Sequence, residues 1–394
     1  MTIVDVDAHF HEPVDWLTHA DPALAAELPP PPDFAPAQVL APATEGSSLP
    51  VPKEDLPDDP LAVAGVELRG HLMKAEAMQP EHYEPHSGNP HYDPEARIRV
   101  CDAEGIDVQF LNATMALVQG IVQVHHSGHP ELLTRLVSAY NRWAAEQVEG
   151  YTDRLIPVAQ IFPDDVAATV DEMTRMREKG SRVFRVPQNN QKSYSHPDYE
   201  PMWSAAEDLG MTAYVHLPFR GSVSRSFANN GRGLETFVHL GGLSSDPMTR
   251  DFLMAMVFDG LFERHPRLRV ILAEVGYAWL PQFLFDIDAK TTRVAMDGLP
   301  QENFYGLPLK PSEYIRRHVR VTATPGFIES GFEWLSVAET LERLPDPDML
   351  VFTSDYPHVE GRESPFSFFD KLLPDDDKLR SSFYGRSLAE FCGL

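Results

Sequence analysis

Short apolar runs alternate with helix-length segments along most of this 394-residue chain, and this alternation constrains the fold more than any other feature. Strands separated by helices form βαβ units, whose strands are parallel. Eight such strands are expected to close into a barrel, so the sequence predicts an α/β fold, a distorted (β/α)8 barrel. The eight predicted strands span residues 3–9, 108–111, 155–159, 181–186, 212–216, 269–273, 319–322 and 349–353.

One long segment interrupts this alternation after the first predicted strand. Residues 28–92 are rich in proline and include four consecutive prolines at 29–32. Proline breaks helices and central strands, so we expect irregular structure there. Loops of this length often cover active sites. We therefore predict a single domain over residues 1–394, with residues 28–92 as an irregular insertion over the barrel mouth.

Composition narrows the class of partner. A formal net charge of −26 argues against nucleic acid, whose phosphates require a basic surface. The sequence shows neither an apolar run long enough to span a membrane nor a secretory leader, so we expect no membrane association. Cys101 and Cys392 are too few for a disulfide framework. We expect a cytoplasmic protein that acts on a small molecule.

Potential metal ligands stand at the ends of four predicted strands. The first strand ends with Asp7 and His9, the fifth with His216, the sixth with Glu274 and the last with Asp355. In parallel barrels these strand ends line the active site, and residues two apart on a strand share a face. Imidazole nitrogens and carboxylate oxygens bind zinc, manganese and iron. A single histidine at such a place is more often structural, but the combination predicts a site for one divalent ion.

Several stretches resemble the amidohydrolase superfamily, in the amidohydrolase-2 branch around aminocarboxymuconate semialdehyde decarboxylase. The resemblance implies a TIM barrel with a metal ion on its C-terminal rim, and often a homodimer. It implies that Asp7 and His9 form the first-strand ligand pair and that His216 is the strand-five ligand. It also implies that Asp355 binds the metal and accepts a proton from its water. The matching stretches are residues 7–10, 102–107, 262–268 and 354–358.

Two positions depart from that pattern. His9 and His11 also form a His-x-His pair, which is shifted by two residues from the pair of Asp7 and His9. His11 is therefore a candidate either for a residue that surrounds the metal ligands or for a ligand of a second ion. Glu274 stands where decarboxylases of this family usually have the histidine of a His-x-Gly motif. Because a carboxylate cannot act as an imidazole, Glu274 favours hydrolysis over decarboxylation.

We therefore expect a metal-dependent hydrolase that uses a metal-activated water on a small amide, ester, thioester or lactone-like substrate. Asp355 accepts the proton of that water, while Glu274 and His358 orient the substrate or relay protons. His239, in the segment after the fifth strand, is a candidate for binding the substrate.

Two alternatives remain open. The first is nonoxidative decarboxylation of an aromatic or muconate-like acid, which requires a cation for the substrate carboxylate. Arg182, Arg185 and Arg220 are candidates for that cation, and Arg185 has the same parity as Val183, which favours a position facing the core. The second is a non-catalytic binding barrel. His125 and His126 also resemble a metal motif, but we expect them in a polar loop.

Overall fold

The structure is a computed structural model that describes residues 2–29, 82–187, 192–216, 245–293, 307–324, 335–358 and 365–394. Within these ranges, nine strands form two parallel sheets, in the orders β1-β2-β3 and β4-β5-β6-β7-β8-β9. The strands are β1 (Val4–His9), β2 (Val108–Asn112), β3 (Leu155–Pro157), β4 (Ala159–Gln160), β5 (Val183–Arg185), β6 (Thr212–His216), β7 (Val270–Ala273), β8 (Val319–Ala323) and β9 (Leu350–Phe352).

Backbone hydrogen bonds join the two sheets at both seams. Val158 alone separates β3 from β4, and its N–H donates to a carbonyl of β2 at 3.0 Å. At the other seam, the N–H of Asp355 donates to the carbonyl of Asp7 at 2.9 Å, and that of His9 to the carbonyl of Tyr356 at 2.8 Å. The strands thus follow one another in chain order around the axis, and the predicted parallel α/β architecture is confirmed.

Helices separate most of these strands, as the alternation predicts. Helix α3 (Pro94–Glu104) shows how residues at both ends of a helix fix its bounds. Asp93 caps its N-terminus by accepting a hydrogen bond from the N–H of Ala96 at 3.1 Å, and Pro94 occupies its first turn. Gly105 ends it in the left-handed conformation, with φ of 73°. The described helices are α1 (Trp16–Ala20), α2 (Pro22–Glu27), α3 (Pro94–Glu104), α4 (Met115–Ser127), α5 (Leu132–Gln147), α6 (Val166–Glu178), α7 (Glu200–Leu209), α8 (Ser245–Phe258), α9 (Leu261–Arg264), α10 (Leu280–Arg293), α11 (Pro311–His318), α12 (Val337–Arg343), α13 (Pro365–Phe369), α14 (Asp377–Ser381) and α15 (Ser387–Cys392).

The core encloses the strand that carries the first candidate ligands. All six residues of β1 are buried, as expected for a parallel strand with both faces covered. Helix α5 buries Leu136, Tyr140 and Trp143, whose spacing forms one helical face. The ring of Trp143 lies 5.3 Å from that of Phe10, directly after β1. Burial of each such side chain contributes about 1.5–3 kcal/mol, which fixes the end of β1.

Little of the predicted insertion falls among the described residues. Residues 82–92 form turns, and the carbonyl of His91 accepts a hydrogen bond from the N–H of His11 at 3.1 Å. The insertion therefore returns to the barrel beside the end of β1. Its placement over the barrel mouth, and the single-domain assignment, stay predictions. In the described ranges, no helix is both long enough and apolar enough to span a bilayer.

Candidate metal centre

Four predicted ligands meet at the carboxyl ends of three strands. Oδ1 of Asp7 lies 3.3 Å from Nε2 of His9 and 3.4 Å from Nε2 of His216. Nε2 of His9 lies 3.4 Å from Oδ1 of Asp355. Asp7 and Asp355 are 0% exposed, His9 is 1% exposed and His216 is 4% exposed, so the cluster is enclosed by protein.

The donor atoms of this cluster fit a divalent ion. Atoms held 2.0–2.2 Å from one ion at tetrahedral or octahedral angles lie about 3–3.5 Å apart, which matches the distances from Asp7 and His9. Within the described part of the chain, Oδ2 of Asp7 and Nε2 of His9 are buried without a hydrogen-bond partner. Buried polar atoms of this kind are unfavourable unless a ligand satisfies them.

The electrostatics of the cluster also suit metal binding. Burial, together with the neighbouring His358, lowers the pKa of His9 to about 3, so its imidazole is neutral. Burial alone would raise the pKa of Asp7, but His216 and His9 hold that pKa well below its usual value. A neutral imidazole and an ionised carboxylate are the forms that bind a metal ion.

Two carboxylates reach the cluster through strained backbone. Glu274 follows β7 with φ of 51°, and Asp355 follows β9 with φ of 58°. Non-glycine residues in this left-handed region cost about 1–3 kcal/mol and cluster at functional sites. Oε2 of Glu274 lies 3.2 Å from Nε2 of His216. Oxygens of Asp7, Glu274 and Asp355 lie within 4.8 Å of one another, so Glu274 belongs to the same centre.

A buried carboxylate that the sequence analysis did not single out fixes the end of β9. Asp5 accepts hydrogen bonds from Oγ1 of Thr353 at 3.0 Å, the N–H of Ser354 at 2.9 Å and Nε2 of Gln109 at 2.9 Å. Burial raises the pKa of Asp5. These bonds tie β1 to β2 and to the residues just before Asp355. Asp5 therefore positions the ligand without contacting it.

A cation lies beside the cluster. Nη2 of Arg185 is 3.4 Å from Nδ1 of His216, and its Nη1 donates to Oδ1 of Asn112 at 3.3 Å. The side chain of Arg185 thus points toward the candidate ligands, as its alternation with Val183 predicted. Its role in substrate binding stays a prediction. His239, the other candidate for substrate binding, lies outside the described residues.

Three further histidines, His11, His91 and His358, lie next to the cluster. Nδ1 of His358 is 2.9 Å from Oδ1 of Asp355, and its ring centroid is 4.1 Å from that of His9. The ring of His11 lies 5.5 Å from that of His358 and 5.0 Å from that of His91. Among the described residues, no group of three close ligand atoms includes His11, so its role as a metal ligand stays a prediction.

Two neighbours of the predicted site, Tyr214 and His91, were not predicted from the sequence. Tyr214 donates a hydrogen bond from its hydroxyl to Oδ1 of Asp7. It stands two residues before His216 on β6, so the same parity argument was available for it. His91 belongs to the insertion, where nothing in the local sequence marks contact with His11.

This geometry defines a class: a parallel-barrel enzyme with a candidate metal centre at the carboxyl ends of its strands. The family follows from comparison with known proteins. The sequence profile of the amidohydrolase family (Amidohydro_2) matches residues 6–386, and the chain belongs to that family. The expected membership of the amidohydrolase-2 branch is confirmed.

Two characterised relatives share most of this chain. Gamma-resorcylate decarboxylase from Rhizobium sp. (strain MTP-10005) is 22% identical over 285 residues, which cover 67% of this chain and 76% of that protein. The 2-amino-3-carboxymuconate-6-semialdehyde decarboxylase from Dictyostelium discoideum is 21% identical over 306 residues, which cover 77% of each.

Solved structures confirm the barrel fold. An amidohydrolase from Mycobacterium avium subsp. paratuberculosis K-10 superimposes with a TM-score of 0.69 at 20% identity, over 100% of this chain and 99% of that one. A dihydroxybenzoic acid decarboxylase from Polaromonas sp. JS666, which contains bound manganese, gives a TM-score of 0.62 at 16% identity, over 100% and 97%.

The expectation of a hydrolase is wrong. Both relatives are decarboxylases of carboxylic acids, and they favour the alternative of decarboxylation. The error arose because Glu274, in place of the histidine usual in decarboxylases of this family, was taken to favour hydrolysis. A carboxyl group can also hold and deliver a proton, so the replacement of an imidazole does not by itself exclude this reaction.

Proposed function

We propose that this protein is a metal-dependent, nonoxidative decarboxylase of an aromatic or muconate-like carboxylic acid. The observation that carries the proposal is the buried cluster of Asp7, His9, His216 and Asp355 with the guanidinium of Arg185 at its edge. Comparison with known proteins supports the proposal, because both characterised relatives are decarboxylases of such acids.

The reaction sets two requirements. A substrate carboxylate leaves as CO2 when its carbon–carbon bond breaks, and the electron pair of that bond stays on the remaining carbon. That carbon then takes up one proton, so each turnover consumes a proton. The site must therefore hold an anion and supply a proton at the reacting carbon.

Asp7, His9, His216 and Asp355 would hold one divalent ion. Manganese is the first candidate because the related dihydroxybenzoic acid decarboxylase contains it, and zinc and iron accept the same ligands. When bound, the ion would supply positive charge for the anionic oxygens of the substrate.

Arg185 would bind the substrate carboxylate. With a formal net charge of −26, the protein as a whole repels anions, so a local cation is needed. A guanidinium binds a carboxylate through two parallel hydrogen bonds, which also fix its plane. Arg185 extends from the end of β5 to within 3.4 Å of Nδ1 of His216, beside the ligands.

Glu274 would deliver the proton to carbon. Its strained backbone directs the carboxyl group into the cluster, where Oε2 lies 3.2 Å from Nε2 of His216. His358 contacts Oδ1 of Asp355 at 2.9 Å through its Nδ1 and would keep that carboxylate in place. Two acidic side chains thus have separate tasks, Glu274 as acid and Asp355 as ligand.

The test is release of CO2 by manganese-loaded protein. The substrate panel contains 2,6-dihydroxybenzoate, 5-carboxyvanillate and 2-amino-3-carboxymuconate-6-semialdehyde, which the relatives and structural neighbours act on. We expect CO2 equal to substrate consumed for at least one acid. The variant Glu274→Gln should lose about 10²–10⁴-fold in kcat while retaining its metal. Glu342→Gln, at an exposed position, is the matched control.

Two results would contradict the proposal. Absence of CO2 from every acid, with the metal bound, would refute decarboxylation of these classes. A wild-type rate in Glu274→Gln would leave decarboxylation intact and remove Glu274 from the role of acid.

A further inference from the structure

The phenol of Tyr214 contacts the candidate metal centre from its buried side. Tyr214 lies on β6 and is 0% exposed, and its hydroxyl donates to Oδ1 of Asp7. Its ring lies 5.9 Å from that of His216, two residues further along the same strand face. Because the hydroxyl is buried and bonded to Asp7, we expect Tyr214 to act on the site through that carboxylate.

The hydrogen bond controls which partners Asp7 can take. Oδ1 of Asp7 lies 3.3 Å from Nε2 of His9 and 3.4 Å from Nε2 of His216. If Asp7 lost its phenol donor, an imidazole N–H of His9 or His216 would be the nearest replacement donor. An imidazole engaged in that way no longer offers its lone pair to a metal ion.

The bond also fixes the plane of the carboxylate. The terminal torsion of an aspartate side chain is broad, so an unrestrained carboxylate samples many orientations. With Oδ1 held by Tyr214, Oδ2 points to a buried position where it has no hydrogen-bond partner among the described residues. Both oxygens are then oriented before any ion arrives.

We propose that Tyr214 is a positioning residue that holds Asp7 ready for the metal ion and thereby sets the affinity of the site. This inference rests on the metal centre of the proposed function and is independent of the reaction carried out there. Groups that hydrogen-bond to metal ligands typically contribute about 10–100-fold to metal affinity.

The experiment compares two tyrosine variants of the full chain. Tyr214→Phe removes the hydroxyl at the site. Tyr384→Phe removes a hydroxyl that donates to Oδ1 of Asp370 at 2.8 Å, a bond that includes no candidate ligand, and is the matched control. Manganese dissociation constants are measured by calorimetry on chelator-treated protein, and the spectrum of bound manganese is recorded by electron paramagnetic resonance.

We expect the manganese Kd to rise about 10–100-fold in Tyr214→Phe and to stay at the wild-type value in Tyr384→Phe. The resonance spectrum should change only in Tyr214→Phe. If Tyr214→Phe does not fold, 4-aminophenylalanine incorporated at position 214 keeps the ring and a donor, and should give the wild-type Kd and spectrum.

An unchanged Kd and spectrum in Tyr214→Phe would overturn the inference, as would equal effects in both variants. Failure of the wild type to bind manganese, zinc or iron would overturn it together with the proposed metal centre. If Tyr214→Phe raises the manganese Kd but the wild type releases no CO2, the role of Tyr214 is supported and only decarboxylation is refuted.

Discussion

Removal of the metal ion should lower the melting temperature of this protein by about 5 °C. The reason is the proximity of Asp7, Glu274 and Asp355, whose oxygens lie within 4.8 Å of one another. At an effective dielectric constant of about 20, two such charges repel by at least about 3 kcal/mol. A bound cation offsets that repulsion, and the stabilisation that it gives is set by its affinity and its concentration.

The magnitude follows from linkage. An ion present at a thousand times its Kd stabilises the folded state by about 4 kcal/mol. Unfolding entropy of about 2.1 cal/mol/K per residue gives a slope of about 0.8 kcal/mol/K for 394 residues. Division of about 4 kcal/mol by about 0.8 kcal/mol/K gives a shift in melting temperature of about 5 °C.

The assay is thermal unfolding of chelator-treated protein with and without added manganese. Wild type and His196→Ala, a change at an exposed histidine, should both show the shift. His216→Ala removes a ligand and should show none. Elemental analysis on the same samples should give about one metal equivalent per chain in wild type and loss of it in His216→Ala. A wild-type melting temperature that is independent of metal, or an unchanged shift in His216→Ala, would refute the assigned ligand set.

Two further predictions concern residues around the cluster. Arg185→Met should raise KM for a carboxylate substrate about 10–100-fold with metal content unchanged, because it removes hydrogen bonds to a charged group. Steady-state kinetics beside the exposed Arg267→Met test this, and an unaltered KM would exclude Arg185 from substrate binding. Asp5→Ala should lower the free energy of unfolding by about 3 kcal/mol, since buried donors lose their acceptor. Urea denaturation beside the exposed Asp375→Ala measures it, and equal midpoints would contradict the positioning role of Asp5.

The strands and the central ligands could be predicted because both follow local rules. Burial on both faces gives each parallel strand a short apolar run. The eight predicted runs correspond to nine strands, because the run at 155–159 covers β3 and the first residue of β4. Because side chains alternate along a strand, Asp7 and His9 were expected on one face and Arg185 was expected to face the barrel interior. Residues fixed by such short-range geometry need no knowledge of tertiary contacts.

Helix α4 shows where local rules failed. His125 and His126 lie in this helix, and the predicted polar loop is wrong. Gly120 and several β-branched residues lower the helix propensity of the segment. A Cβ at Gly120 would lie 3.1 Å from the side chain of Leu136, so glycine allows α4 to pack closely against α5. Tertiary contact thus stabilises a helix that its own sequence only weakly favours.

Asp5 and His91 could not be assigned for a related reason. Long-range contacts place them at the site: Asp5 accepts a hydrogen bond from the N–H of Ser354, and the carbonyl of His91 accepts one from the N–H of His11. The choice between hydrolysis and decarboxylation was also beyond the ligand pattern. The same nitrogen and oxygen ligands serve both reactions, and the difference lies in how the other acidic side chains are used.

The backbone at Glu274 and Asp355 indicates that this site is maintained at a cost to stability. Glycine would adopt φ near 51° and 58° without strain, yet both positions carry carboxylates. Each strained residue costs about 1–3 kcal/mol, and bringing these charges together adds repulsion. The oxygens of Asp7, Glu274 and Asp355 lie within 4.8 Å of one another, so this repulsion opposes folding. A bound cation offsets both at once, which explains why metal binding and folding stability are expected to change together in this protein.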